Sequence, residues 1–306
     1  MNKVLVVLAT YNGEKYVKEQ IRSILNQKSI NLNILVFDDN SSDETVKIIK
    51  EFCDSRIQII INKKNSGSPA NNFLGGITLL ENRIIDNFEY IALADQDDLW
   101  LDSKLIEGIR QLRNNNSSLY ASNLTLWDEL NNTKNILRKD FEQTEFDYLF
   151  EGASAGCTYI MTNQFVVDFK KFVSDVDFSC WKFLSHDWLI YFFARVNGNN
   201  VVIDSKSLIL YRIHDSNIHG QLNKNSLSSH FKRFNLVIDQ WYFIHSLNFS
   251  KLLSKESEAF YIYKMYSKNW FTRFWVLMLY NYKLIRSRSK FLKFALISLI
   301  PRFKPS

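Results

Sequence analysis

Cysteine, proline and glycine are all scarce in this chain, which has three, three and nine of them among 306 residues. Cys53, Cys157 and Cys180 are odd in number and form no C-x-x-C pair. That argues against a disulfide scaffold or a zinc knuckle and fits a reducing cytoplasm, with each thiol reading as a small core residue. So few prolines and glycines also argue against a long disordered linker. No Gly-x-Gly-x-x-Gly follows the first apolar run and no Walker loop occurs, so dinucleotide and P-loop chemistry lose ground. Long apolar runs are missing as well. Phe274–Tyr282 and Phe294–Pro301 come closest to the roughly 18 residues of a spanning helix, and both are bounded by charge. At the N-terminus, Val4–Thr10 is too short for a secretory core, and no small-residue cleavage site follows it.

What is present is a chain that is 46% hydrophobic, enough for a sizeable core. Its charge is uneven. Residues 221–306 hold 15 Lys and Arg against 3 Asp and Glu, while residues 1–220 hold 23 against 29. Such asymmetry suggests an anionic surface as partner for the basic end.

The first hundred residues alternate strand and helix signals. Val4–Thr10, stopping at Asn12-Gly13, reads as a buried parallel strand, and Val17, Ile21, Ile24 and Leu25 follow helical spacing. Asn33–Asp39 reads as a second strand. Ser41 and Glu44 are spaced for a capping box on a helix carrying Val46, Ile49 and Phe52. Arg56–Asn62 and Tyr90–Asp95 read as further strands, with a helix over Asn71–Arg83 between them. Later, Lys104–Arg113 and Asp187–Val196 look helical, and Leu119–Trp127 and Val201–Tyr211 look like strands. The alternation over the first hundred residues implies a parallel sheet covered on both faces, residues 99–220 are mixed, and the expected fold class is α/β in a catalytic domain over 1–220. A basic, aromatic helical region over 221–306 follows it.

Ligands of such sheets bind beyond the carboxyl ends of the strands. Thr10, Asn12, Asp38, Asp39, Asp95, Asp97 and Asp98 fall there and form an acidic rim. Three carboxylates in Asp95-Gln96-Asp97-Asp98 repel one another, and burial would sharpen the conflict. A hard divalent cation, magnesium or manganese, resolves it with oxygen ligands and substrate phosphates. A solvated acidic turn is the bland reading; the position at a strand end beside Asp38 and Asp39 favours the metal.

The segments LATYNGEKYVKEQIRSIL, ILVFDDNSSDET, NSGSPANNF, LADQDDLW, AGCTYIM, SHDWLIYFFA and YRIHDSNIHG occur in that order over residues 5–220. In order and spacing they resemble family 2 glycosyltransferases of the GT-A fold, in the bacterial polysaccharide branch that includes rhamnosyltransferases. The resemblance implies that Thr10, Tyr11 and Asn12 line a nucleotide pocket, that Asp39 bonds the nucleobase with Asp38 beside it, and that Asn65, Gly67 and Asn71 shape the ribose side. Asp95 would lie near the ribose and Asp97 would hold the metal, with Asp98 sharing either task. Asp187 would be the catalytic base, although His186 stands where the family commonly has Glu. His214 would touch the metal or diphosphate, with His219 a second candidate, and Arg212 would pair with a diphosphate oxygen. The bland alternatives are helix capping for Asp38, Asp39 and Asp187 and a structural ion pair for Arg212. His230 and His245 have no special context.

The implied reaction is a metal-dependent, inverting transfer of a sugar from a dTDP- or UDP-activated donor to a glycan or lipid-linked hydroxyl in surface polysaccharide synthesis. Gly152–Thr158 would form the acceptor-side wall. A sugar-phosphate nucleotidyltransferase is the enzymatic alternative, but Ala9-Thr10-Tyr11-Asn12-Gly13-Glu14 lacks the glycine-rich basic loop it would need. A non-catalytic sugar-nucleotide-binding assembly protein is the other alternative. Nucleic acid is not an expected partner, because no recognition motif accompanies the basic tail. That tail, with Trp270, Phe271, Phe274 and Trp275 followed by Arg286, Arg288, Lys290 and Lys293, suits the cytoplasmic face of a membrane. Packing on the catalytic domain or a homodimer interface would use the same aromatics.

Overall fold

The computed structural model describes residues 1–178, 181–214 and 241–300. Cys180, His219, His230 and the 220/221 boundary lie outside the described residues. The chain divides into two compact units: Met1–Asp140 with Ala153–Ser179 and Ser185–Ile213, and Phe141–Gly152 with Cys180–Leu184 and His214–Ser306. The second unit therefore takes in two earlier segments as well as the C-terminal region.

The first unit begins with β1 (Asn2–Thr10), α1 (Val17–Leu25), β2 (Ile30–Asp38), α2 (Thr45–Lys50), β3 (Ile57–Ile61), α3 (Pro69–Leu79), α4 (Asn82–Ile85) and β4 (Tyr90–Ala94). It continues with β5 (Leu99–Trp100), α5 (Lys104–Asn114), β6 (Leu119–Asp128), β7 (Thr133–Leu137), β8 (Ile160–Thr162), α6 (Asn163–Ser174), α7 (His186–Val196) and β9 (Val201–Arg212). Among the described residues the nine strands make one sheet in the order β3-β2-β1-β4-β8-β6-β9-β5, with β7 beside β6. β1 runs parallel to both β2 and β4. Its residues from Val4 onward are all buried, which explains an apolar run without alternation.

The parallel sheet expected of the first hundred residues is present over β1 to β4, whereas an expected capping box is not. The sheet is parallel only from β3 to β4 and between β6 and β9; β8 is antiparallel to β4 and β6, and β5 is antiparallel to β9. Short β8 and the two-residue β5 carry too little periodic pattern to be read in advance. The Ser41–Glu44 capping box does not form. The Ser41 oxygen accepts from the Asn12 N–H instead, the Glu44 N–H goes to the Glu14 carboxylate at 3.0 Å, and the Ser41 N–H goes to Asp38 at 2.8 Å. Both N–H groups that the box would pair are taken by carboxylates, the stronger acceptors.

α3 starts two residues before the expected Asn71, with Ser68 accepting from the Asn71 N–H and Pro69 in the first turn. Its buried Gly76 lies against the sheet: a Cβ there would stand 2.6 Å from the Phe37 ring. α7 is capped by Ser185 and buries every residue from Trp188 to Ala194.

The second unit contains α8 (Trp241–Phe249), α9 (Glu258–Lys268), α10 (Trp270–Tyr280) and α11 (Arg288–Ser298). Phe150 is its aromatic centre, with ring centroids 4.8 Å from Phe294, 4.9 Å from Tyr266 and 5.6 Å from Tyr263. Arg286 is buried and donates to Glu151 at 3.1 Å. These contacts tie Phe141–Gly152 to the C-terminal helices. His245 is buried beside Trp241 and Phe249. α10 buries Arg273, Val276 and Leu277 but exposes Trp270, Phe271, Trp275, Met278 and Leu279. No helix among the described residues is long and apolar enough to cross a membrane.

Gly76→Ala tests the packing of α3 on β2. Alanine favours a helix interior by about 1 kcal/mol, but overpacking against a fixed aromatic ring costs about 1–3 kcal/mol. The expected net effect is a lower melting temperature by calorimetry, whereas an unchanged or higher one would show that the ring gives way.

Candidate active site at the ends of the parallel strands

Thr10 and Asp38 end neighbouring strands in register, and the Thr10 hydroxyl donates to Asp38 Oδ2 at 2.8 Å. Asp38 also accepts from the Ser41 N–H at 2.8 Å and the Ser41 hydroxyl at 2.6 Å. It therefore shapes the turn after β2. Ser41 in turn accepts from the Asn12 N–H at 2.9 Å, and Asn12 holds a positive φ of 47°. Asp39 fixes the next loop: Oδ1 accepts from the Ser66 N–H at 2.8 Å and Asn62 at 2.9 Å, and Oδ2 accepts from the Ser66 hydroxyl at 2.8 Å. The Asn65 side chain donates to the Asp39 carbonyl and accepts from the Gly67 N–H. The Asn71 amide donates to the Ser66 carbonyl. The structure thus gathers Thr10, Asn12, Asp38, Asp39, Asn65, Gly67 and Asn71 around two hydrogen-bonded loops.

The loop after β4 is tied to the loop after β1. The Gln96 side chain accepts from the Tyr11 N–H at 2.8 Å and donates to the Tyr11 carbonyl at 3.0 Å, while the Tyr11 ring is half-exposed. A Cβ on Gly13 would stand 2.2 Å from Gln96 Oε1, so glycine there leaves room for this tie. Around it, one ligand atom each from Asp95, Asp98 and Cys157 lie within 4.8 Å of one another. Asp98 is 1% exposed, and its Oδ2 finds no nitrogen or oxygen donor among the described residues.

Burial, then the charges of Asp97 and Asp187, push the Asp95 carboxyl up to about 7. Asp95 is part-exposed as a residue, so its loop is open to solvent while its carboxyl is desolvated. Burial first, then Asp97 and Asp95, hold Asp98 well above the usual carboxylate range. Burial also raises the Cys157 thiol, and it lowers the ammonium of buried Lys104 to about 7.

Asp187 lies in the first turn of α7, close enough for its charge to act on Asp95. Its Oδ1 accepts from the Trp188 N–H at 2.8 Å and from the Ser185 hydroxyl. The Tyr159 hydroxyl donates to the Asp187 carbonyl at 3.1 Å. His186 stacks on Phe73 with ring centroids 4.3 Å apart, and a Cβ on Gly156 would meet it at 2.4 Å.

Arg212, at the end of β9, is 1% exposed. Its guanidinium pairs with Glu19 at 2.6 Å and with Glu129, and its Nε donates to the Asp97 carbonyl at 3.0 Å. His214, two residues on, belongs to the second unit.

The sequence profile described as Glycosyl transferase family 2 matches residues 5–168. The chain belongs to that family. A dTDP-rhamnosyl transferase, RfbG, of Shigella flexneri is 36% identical over 77% of this chain and 80% of its own. WfgD of Escherichia coli, a UDP-Glc:alpha-D-GlcNAc-diphosphoundecaprenol beta-1,3-glucosyltransferase, is 31% identical over 58% of this chain and 68% of its own. The fold resembles Staphylococcus aureus TarS 1–349 in complex with UDP, at a TM-score of 0.58 and 19% identity, covering 97% of this chain and 88% of that one. It also resembles a Pyrobaculum calidifontis mannosyltransferase, PcManGT, in complex with GDP-Man and Mn2+, at a TM-score of 0.56 and 13% identity, covering 96% and 74%. The α/β architecture is therefore the GT-A fold of a glycosyltransferase in the bacterial polysaccharide branch.

Within this family member, sequence reasoning passed over Cys157, Gln96, Ser66 and Lys104. Gln96 and Ser66 lie inside the recognised segments but carry no charge to single them out. Cys157 lies in AGCTYIM, where its place beneath the acidic loop depends on the pairing of β8 with β4.

A pH experiment tests the buried carboxyls. In the unfolded chain they lose their protons near pH 4. In the fold they keep them longer, so the folded state binds more protons and loses stability as pH rises from about 4 to about 7 through Asp95. Asp98→Asn removes one such group. In chelator, the variant is expected to melt above the wild type by a few degrees at pH 8, with the gap closing toward pH 4. Equal melting at pH 8 would show that the Asp98 carboxyl carries no burden in the fold.

Proposed function

We propose that this glycosyltransferase moves a sugar, with inversion, from a dTDP- or UDP-activated donor to a hydroxyl of a lipid-linked glycan. The carrying observation is the arrangement of Asp95, Asp97, Asp98 and Asp187 beside the hydrogen-bonded loops that follow β1 and β2. The rhamnosyltransferase relative supports dTDP-rhamnose as first donor. Asp39 supports an imide base such as thymine or uracil. Its Oδ1 already accepts twice, but Oδ2 accepts once and has room for an N–H.

A divalent cation fits the residues present. Asp98 has a buried oxygen without a nitrogen or oxygen donor, and the surrounding carboxyls repel one another. Asp97, with Asp95 and Asp98 beside it, would hold the ion. Bound there, magnesium or manganese supplies positive charge against the departing diphosphate. The chain's own residues do the rest. The Thr10–Asp38–Ser41 and Asp39–Ser66 networks orient the nucleoside. Asp187 serves as base through Oδ2, because both cap bonds fall on Oδ1.

Asp187→Asn separates the two uses of this carboxylate. Asparagine can still cap α7 but cannot take a proton. In a panel of dTDP-rhamnose, UDP-glucose and GDP-mannose, followed by product chromatography, the wild type is expected to favour the thymine or uracil donors. The variant should turn over at least about a hundredfold slower with nearly unchanged nucleotide affinity. Near-normal turnover would reduce Asp187 to a cap, and exclusive use of GDP-mannose would overturn the base assignment at Asp39.

The second unit supports the lipid-linked acceptor. The exposed aromatic and aliphatic side chains of α10 lie in a region with exposed Lys264, Lys268, Lys283, Arg288 and Lys293, a composition suited to an anionic bilayer surface. The protein is expected to sediment with phosphatidylglycerol vesicles at low salt, and Trp275→Asp with Leu279→Asp to release it. Sedimentation that both substitutions leave unchanged would place the membrane contact elsewhere.

A further inference from the structure

Arg212 has partners in three separate parts of the catalytic unit around the acidic loop. It leaves β9 beneath that loop and touches it twice: Nε donates to the Asp97 carbonyl at 3.0 Å, and its own N–H donates to Asp98 Oδ1 at 3.3 Å. The guanidinium lies between two rings, 4.5 Å from the centroids of Tyr16 and Trp127. Two carboxylates pair with it, Glu19 from α1 and Glu129 just beyond β6. A buried arginine without such partners would be strongly destabilising; with two carboxylates and two ring faces its charge is compensated in place.

We infer that Arg212 is a positioning residue that fixes the backbone of Asp97 and the carboxyl of Asp98 for metal binding, and that it does not bind the diphosphate. The planar fork of the guanidinium is directed at Glu19, Glu129 and the Asp97 carbonyl, all of them protein acceptors. Three of its five N–H groups are used in this way, and the side chain is only 2% exposed, so little of it is left open to a phosphate. Glu19 and Glu129 each remain about half-exposed, so they complete the charge of Arg212 at the surface while its backbone-directed Nε stays inside. The acidic loop is thereby held from both sides, by Gln96 on the β1 loop and by Arg212 on β9. Lysine cannot take this place, since one ammonium cannot reproduce a planar fork stacked between two rings.

The inference rests on the metal-binding reading above, and the test separates the two. Mn2+ affinity is measured by titration with UDP present, and UDP affinity is measured alone in chelator. Arg212→Lys is expected to weaken Mn2+ binding at least tenfold while leaving chelated UDP binding within about twofold, and high Mn2+ should restore much of its turnover. Glu129→Gln removes one exposed partner and is the variant to use if Arg212→Lys does not fold; it should weaken Mn2+ binding severalfold with UDP binding again unchanged. Loss of chelated UDP binding in Arg212→Lys, without rescue by Mn2+, would make Arg212 a diphosphate ligand and overturn the inference. Unchanged Mn2+ affinity in either folded variant would also overturn it. If the wild type itself binds no Mn2+, the metal-binding reading fails instead.

Discussion

Only Asp95–Asp98 separate Ala94, the last residue of β4, from Leu99, the first of β5, yet β8, β6 and β9 lie between those strands in the sheet. Across a flat sheet four strand spacings amount to about 19 Å. Five extended residues reach about 18 Å at most, and this segment is bent. The sheet must therefore curl until β9 and β5 come back toward the end of β4. That closure places Arg212 of β9 beneath the loop, and it fixes three carboxylates where the parallel strands β1, β2 and β4 end.

The closure has an electrostatic consequence. Carboxyls that a solvated turn would leave ionised are partly desolvated here, and each raises the other's proton affinity. The fold offsets part of this with the Arg212 N–H on Asp98 and the Trp188 N–H on Asp187, while Gln96 ties the loop to the Tyr11 main chain. The loop is thus stiff in its main chain but under-compensated in its side chains. A site built in this way gains from a cation and an anionic ligand arriving together, as the proposed transfer from a nucleoside diphosphate sugar would have it.

The parts legible in the sequence were those set by local pattern. β1, α1, α5 and α7 appear where the periodicity of Val4–Thr10, Val17–Leu25, Lys104–Arg113 and Asp187–Val196 places them, within a few residues. Asp38, Asp39 and the Asp95–Asp98 run stand at strand ends, as their position after apolar segments suggested. What depends on pairing across the sheet was not legible. Ser41 lies three residues before Glu44, yet the Glu44 N–H goes to Glu14 and the Ser41 N–H to Asp38. Cys157 comes beside Asp95 only because β8 pairs with β4. Arg212 reads equally as a diphosphate ligand or an ion pair in sequence. Its partners are Glu19, Glu129 and the Asp97 carbonyl, and no local pattern links these positions.

The most direct measurement of the central claim is a crystal structure with Mn2+ and dTDP bound. The account places the ion against Asp97 at the end of β4, the thymine beside Asp39, and Arg212 still donating to the Asp97 carbonyl. A nucleotide seated away from the β1, β2 and β4 ends, or an ion with no ligand from Asp95–Asp98, would contradict it.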